Sequence, residues 1–190
     1  MKTILIGILF FVYLGSYAQL PIDSATHLIT YTGVVQVNAK QDELYSRARE
    51  WFAKEYNSAQ NVIQMDNKDK IVGKALMQVY GKNLIGITSE LGYINYTISV
   101  YIKDGKYKYE ISNFYHTGKY VGGGTYIGNT YIANSDIPDL GPIEGLEYSK
   151  KKSERKLFNS FAKQIDSNIE PLITSLKENM NKPISKINDF

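Results

Sequence analysis

Residues 93–116, YINYTISVYIKDGKYKYEISNFYH, decide the fold. Apolar and polar side chains alternate on both sides of Asp104-Gly105, the period-two pattern of two half-buried strands. A two-residue loop at Asp104-Gly105 predicts a type I′ hairpin turn, with Lys103 opposite Lys106. Counting outward, Ile102 faces Tyr107, Val100 faces Tyr109, Ile98 faces Ile111, Tyr96 faces Asn113 and Ile94 faces Tyr115. These five pairs make the inward face, and Asn113 is its only strongly polar member. The other face pairs Tyr101 with Lys108, Ser99 with Glu110, Thr97 with Ser112, Asn95 with Phe114 and Tyr93 with His116. It is largely polar and is predicted to meet water. A slip of one residue would exchange the two faces, so the register carries the whole prediction of the core.

Further strands precede the hairpin. Asn61–Met65 and Lys70–Tyr80 flank the polar turn Asp66-Asn67-Lys68-Asp69. Leu84–Thr88 reads either as a short strand or as part of a wide connection. Leu28–Val37 is a first strand, with Ile29, Tyr31, Val35 and Val37 on one side. From Lys40 to Tyr56 the period changes to 3.6, with Leu44, Ala48, Trp51, Phe52 and Tyr56 in one stripe. Lys40, Glu43, Arg47, Glu50 and Lys54 fall away from it. Asn38 with Gln41 three residues later has the form of a capping box for this helix.

Beyond the hairpin, residues 118–147 are rich in Gly, Asn, Asp and Pro, and Thr125–Ile132 suggests a small hairpin around Gly128-Asn129. A connection this long inside a domain is usually functional or mobile. A helix follows over about 149–181, its seam running from Leu157, Phe158 and Phe161 through Ile165 and Ile169 to Leu172, Ile173, Leu176 and Met180. Pro171 inside that seam predicts a kink or two abutting helices. Residues 182–190 read as a flexible tail. The predicted organisation is a leader at 1–18 and one domain at 19–181.

The leader has Lys2, an apolar run from Ile4 to Leu14, and small residues at Ser16 and Ala18 before a cut ahead of Gln19. This is the layout of a Sec-type signal peptide, and the run is short for a membrane span. The expected location is therefore periplasmic or extracellular. Gln19 in place of cysteine leaves no site for a lipid anchor, and no transmembrane segment is expected after cleavage. The chain has no cysteine at all, which excludes disulfides, thiolate metal sites and cysteine nucleophiles. Its formal charge is +3, falling to +2 without Lys2, so it offers no broad cationic field for nucleic acid. Of sixteen tyrosines only Tyr13 and Tyr17 lie in the leader. Such an excess suits a sheet with one exposed face, and secondarily a sugar- or peptide-binding surface.

The order strand, amphipathic helix, antiparallel strands and long C-terminal helix resembles a family of exported bacterial proteins common in Bacteroidetes. Leu28-Ile29-Thr30-Tyr31, Asp42-Glu43-Leu44-Tyr45 with Ala48 and Trp51-Phe52, and the hairpin core Ile94–Tyr115 carry the resemblance. That family, domain of unknown function 4468, has a fold like that of the TATA-binding protein. The resemblance covers about residues 22–116 and implies an α+β fold: a curved antiparallel sheet, in β-α-β-β-β-β order, with the N-terminal and the long C-terminal helix on one face. It implies no activity and no catalytic residues, and the fold name alone does not imply DNA binding.

No catalytic, cofactor-binding or metal-ligating set emerges from the residues. His27 and His116 have no partner at metal spacing, and His116 is expected on the surface. The glycines at 122–124 lack the Gly-Lys-Ser/Thr ending of a phosphate loop. The leading functional reading is a non-enzymatic binding or interaction module of the bacterial envelope, its partner an envelope protein, a glycan or a peptide. Tyr93, Tyr101, His116, Tyr120 and Tyr126 form the candidate surface. One alternative is an envelope hydrolase using the loop carboxylates Asp136, Asp139, Glu144 and Glu147. Another is a structural component whose C-terminal seam meets a partner helix.

Overall fold

The computed structural model describes residues 20–82, 88–120, 122, 124–127, 129–133 and 136–182. The leader at 1–18, most of the ambiguous stretch at Leu84–Thr88 and the tail beyond Lys182 lie outside the described residues. In chain order the elements are β1 (Tyr31–Gln36), α1 (Gln41–Glu55), α2 (Ala59–Val62), β2 (Ile63–Asn67), β3 (Lys70–Lys82), β4 (Thr88–Lys103) and β5 (Lys106–Thr117). Then come β6 (Gly124–Ile127), β7 (Thr130–Ala133), β8 (Gly141–Pro142), α3 (Ile143–Glu147) and α4 (Lys152–Asn181).

Six strands form one antiparallel sheet in the order β1-β5-β4-β3-β2, with β8 beside the far end of β5. The order follows from short connections, since β2–β3, β3–β4 and β4–β5 each pair with their neighbour in the chain. The expected small hairpin is present as β6 paired with β7. The stretch read as a strand from Asn61 begins instead as the helical turn α2, and β2 starts only at Ile63.

Helices cover one face of this sheet. Leu44, Ala48, Trp51 and Phe52 of α1 are buried, as are Ile71, Met77 and Val79 of β3 and Ile94, Ile98, Val100 and Ile102 of β4. Phe161, Ile165, Ile169, Leu172, Ile173, Leu176 and Met180 of α4 complete the same core. The C-terminal seam is thus used within the chain. Helix α4 is continuous through Pro171, where two abutting helices had been one expectation.

Arg47 is buried rather than turned to water with the other α1 charges. It lies where α1 meets the end of α4. Its Nη1 donates to Met180 O at 2.6 Å, its Nη2 pairs with Glu43, and Asn179 Nδ2 donates back to Arg47 O at 2.8 Å. The last carbonyls of a helix have no partner inside it, so a cation there is favourable. The charge sits in the stripe because it caps another helix.

The start of α1 also departs from the capping-box expectation. Its N-cap position is Lys40, and the Gln41 N–H donates to Asp104 Oδ1 at 2.8 Å, on the β4–β5 turn. Gly105 N–H donates to Ala39 O at 3.0 Å, and Val37 N–H donates to Gly105 O at 2.9 Å. The β1–α1 connection is therefore clasped onto the hairpin turn. In that turn Gly105 has φ +74° while Asp104 is not in the positive region. The two-residue loop and the Lys103–Lys106 pair stand, but the turn is not type I′. A positive φ at the second central residue alone is the type II pattern. Three hydrogen bonds hold this turn against the β1–α1 connection.

The largest departure is at Asn113. Ile102–Tyr107, Val100–Tyr109 and Ile98–Ile111 pair as counted, and Thr97 faces Ser112. The register then shifts, and Asn95 faces Tyr115 and Ile94 faces His116. Both Asn113 and Phe114 stand opposite Tyr96, a β-bulge with Asn113 at φ +60°. Past the bulge every side chain of β5 changes face. Phe114 and His116 turn into the core, and Tyr115 turns out with 43% of its surface exposed. A second shift lies on β4, where Leu91 is the extra residue between Gly92 and Glu90. Gly92 has φ +111°, and a Cβ there would lie 2.2 Å from Thr117 O.

Asparagine enters the left-handed region at little cost, whereas a branched side chain pays about 1–2 kcal/mol there. Asn113→Gly should leave the urea midpoint nearly unchanged, and Asn113→Val should lower stability by about 1–2 kcal/mol. Equal stability of the three proteins would contradict the bulge.

Candidate binding face and groove

The sheet face opposite the helices carries Lys70, Val72, Lys74, Leu76, Gln78 and Tyr80 of β3. Beside them on β4 are Tyr93, Asn95, Thr97, Ser99 and Tyr101. Of the candidate tyrosines, Tyr101 and Tyr93 are half-buried on this face, eight residues apart on one strand. At about 3.4 Å per residue that separation is about 27 Å, so they belong to different sites. Tyr101 lies between two ammonium groups, Lys70 Nζ at 4.5 Å and Lys108 Nζ at 5.4 Å from its ring centre. Lys108 is also paired with Glu110 at 2.8 Å, and the hydrogen bond from this pair raises its pKa. Tyr93 lies in a polar cluster at the other end of β4. There Lys119 pairs with Glu90, which lowers the glutamate's pKa and raises the lysine's, with Gln78 and Tyr93 adding hydrogen bonds to Glu90.

Tyr120 is 84% exposed beyond the end of β5. Tyr126 is on β6 opposite Tyr131, and its side chain lies outside the described residues. The structure therefore does not gather the five candidates into one surface.

His116 is a correction. It is fully buried on the helix-covered side, because the Asn113 bulge reverses the face of β5. Its ring stacks on Phe161 at 5.0 Å between centres. Leu140 N–H donates to Nδ1 at 3.3 Å, which leaves the proton on Nε2, 2.9 Å from Leu91 O. Both nitrogens are satisfied by a neutral imidazole. Burial lowers its pKa from the usual 6.5, against smaller opposing effects of the Leu91 carbonyl and Asp139. His116 thus ties the 137–142 strand-like connection to β4 and to α4.

Between the two tyrosine sites lies a groove of about 760 Å³. One wall is the α1–α2 connection, with Tyr56, Asn57, Ser58 and Asn61, and the other is the sheet at Lys74, Leu76, Asn95, Thr97 and Asn113. Amides and hydroxyls dominate its polar groups, and Leu76 is 58% exposed beside them. At the base Tyr56 and Tyr96 lie together, and burial raises the pKa of both hydroxyls. Sequence reasoning did not single out this groove. The signals available for it were Asn113 alone among apolar inward residues and Leu76 on the polar side of β3.

Three of the four loop carboxylates accept backbone N–H groups. Asp139 Oδ1 accepts from Gly118 N–H at 2.7 Å, Asp136 Oδ1 from Gly122 N–H at 3.3 Å, and Glu144 Oε1 from Ile29 N–H at 3.0 Å. Among the described residues no three His, Asp or Glu side chains gather as a metal site, and no helix is long and apolar enough to cross a membrane.

An open antiparallel sheet of six strands with helices packed on one face is an α+β architecture of the TBP-like class. Residues 31–117, from β1 through β5, match the family described as a domain of unknown function (DUF4468) with TBP-like fold. A DUF4468 family protein from Bacteroides ovatus is 13% identical, with a TM-score of 0.60 over 92% of this chain and 96% of that one. A TBP-like protein from Parabacteroides distasonis is also 13% identical, with a TM-score of 0.52 over 82% of this chain and 97% of that one. Likeness at this identity speaks for the fold alone. No curated protein matches the chain.

A histidine held neutral makes stability depend on pH. The unfolded chain takes up a proton near pH 6.5, and the folded chain only at lower pH. The contribution is therefore complete above that value and is lost as pH falls through it, by at most about 1.4 kcal/mol per pH unit. Urea midpoints measured at about pH 7.5 and about pH 5.5 should fall, and His116→Gln should flatten the profile. An unchanged profile in the variant would place His116 in water.

Proposed function

We propose that the protein is a non-enzymatic binding module of the bacterial cell envelope, engaging an envelope protein, glycan or peptide through its bare sheet face and the adjoining groove. The observation that carries this reading is the asymmetry of the sheet. Helices α1, α3 and α4 bury one face, and the opposite face presents Leu76, Tyr101, Asn95, Thr97 and Lys74, over which no helix of the described residues packs. The aromatic, amide and hydroxyl groups of the groove are of the kind that binding pockets use to orient a neutral ligand. The location rests on the leader, with export and cleavage before Gln19.

Support for a binding role over hydrolysis comes from the loop carboxylates. Asp136 and Asp139 accept from the loop backbone and Glu144 from Ile29 N–H, which leaves all three engaged in structure. Two measurements test the reading. N-terminal sequencing of the protein recovered from the envelope or medium should begin at Gln19, and a start at Met1 would remove the export. A ligand held at about 100 times its Kd stabilises a fold by about 2.7 kcal/mol, so a thermal-shift panel of envelope glycans and peptides should raise Tm for at least one. No shift across the panel, with no co-purifying partner from native envelope, would remove the binding role.

A further inference from the structure

We propose that the partner is an extended peptide carrying an acidic side chain, added as a strand to the free edge of β3; this rests on the reading of the protein as a binding module. The argument begins with which way the backbone points. Asn67 and Lys70 close the β2–β3 hairpin, so the N–H and C=O of Lys70 face β2, and by alternation so do those of Val72. At the far end the Gln164 side chain meets the same edge. Its Oε1 accepts from Tyr80 N–H at 2.9 Å, and its Nε2 donates to Tyr80 O at 3.0 Å. Both ends agree that the even-numbered residues of β3 point outward.

Lys74, Leu76 and Gln78 lie between those ends. Strand β2 stops at Ile63, opposite Gly73, and Gln164 covers Tyr80 alone. The Ile63–Gly73 bridge of β2 and β3 engages the Lys74 N–H, and among the described residues no hydrogen bond outside these ladders reaches the Lys74 carbonyl or the backbone of Leu76 and Gln78. An unpaired row of donors and acceptors is a template for another strand, and proteins usually block it or use it. Here β2 and a glutamine amide close the two ends and leave the middle open onto the groove.

The open stretch specifies its occupant. An extended peptide carries amide and carbonyl groups at the repeat of β3, about 6.8 Å for every second residue, whereas a glycan has no such ladder. Lys74 is the one charged side chain lining the groove, and among the described residues it is in no ion pair. An Asp or Glu of the peptide complements it.

Selection of a displayed library of linear peptides of about eight residues on the purified protein tests this. The enriched peptides should carry Asp or Glu. Resynthesised, they should slow amide exchange at Leu76 and Gln78 by tenfold or more, and methylating their alternate amide nitrogens should abolish binding. Lys74→Gln should weaken binding about threefold, the worth of one exposed charge pair. The proposal is overturned by failure to enrich any peptide, by binding that leaves those two amides exchanging freely, or by equal binding of the methylated peptide. It is also overturned by a dimer in light scattering that protects the same amides without peptide. A glycan that binds the groove when peptides do not would overturn strand addition and leave the binding module standing. If neither binds, both readings fall.

Discussion

The ladder between β4 and β5 is the constraint on which the rest of the molecule depends. It is tight at the Asp104-Gly105 end, where two central residues set the register and three hydrogen bonds clasp the β1–α1 connection. It is interrupted once, at Asn113. Near the turn Tyr107, Tyr109 and Ile111 face the helices, and beyond the bulge Phe114 and His116 do so. One extra residue therefore decides which side chains of β5 meet α3 and α4.

That interruption also shapes the far end of the domain. His116, once inside, stacks on Phe161 of α4 and joins Leu140 to Leu91, so the connection after the sheet is held to the core by a neutral imidazole. The outward side of the bulge is Asn113, at the wall of the groove that opens beside β3. The same residue closes the core on one side and helps form the candidate site on the other. The helices complete the asymmetry. Helix α1 starts on the turn's Asp104 and finishes beside α4, whose last carbonyls receive Arg47. With both helices committed to one face, no helix of the described residues packs on the other.

Much of the fold was legible in the residues, because period-two and period-3.6 patterns report burial directly. The strands in chain order, the hairpin register as far as Thr97–Ser112, the Trp51-Phe52 stripe and the C-terminal seam all follow from that pattern. What escaped was set by partners distant in sequence. Arg47 looks like a solvated charge until α4 ends against it, and Asn38 looks like a cap until Asp104 takes the role. The bulge left one trace, an asparagine among five inward pairs, and counting a straight ladder past it put His116 and Tyr115 on the wrong faces. The site was legible only in part. Tyr93 and Tyr101 were placed on the open face, but the groove between them depends on the α1–α2 connection, which no strand or helix period describes.

The central claim is that β5 changes face at Asn113. Cross-strand nuclear Overhauser contacts test it most directly. The account predicts contacts that pair Ile94 with His116 and Asn95 with Tyr115, with the His116 ring protons near the Phe161 ring. Contacts pairing Ile94 with Tyr115 and Tyr93 with His116 would mean an unbroken ladder, and would contradict both the buried histidine and the groove at the bulge.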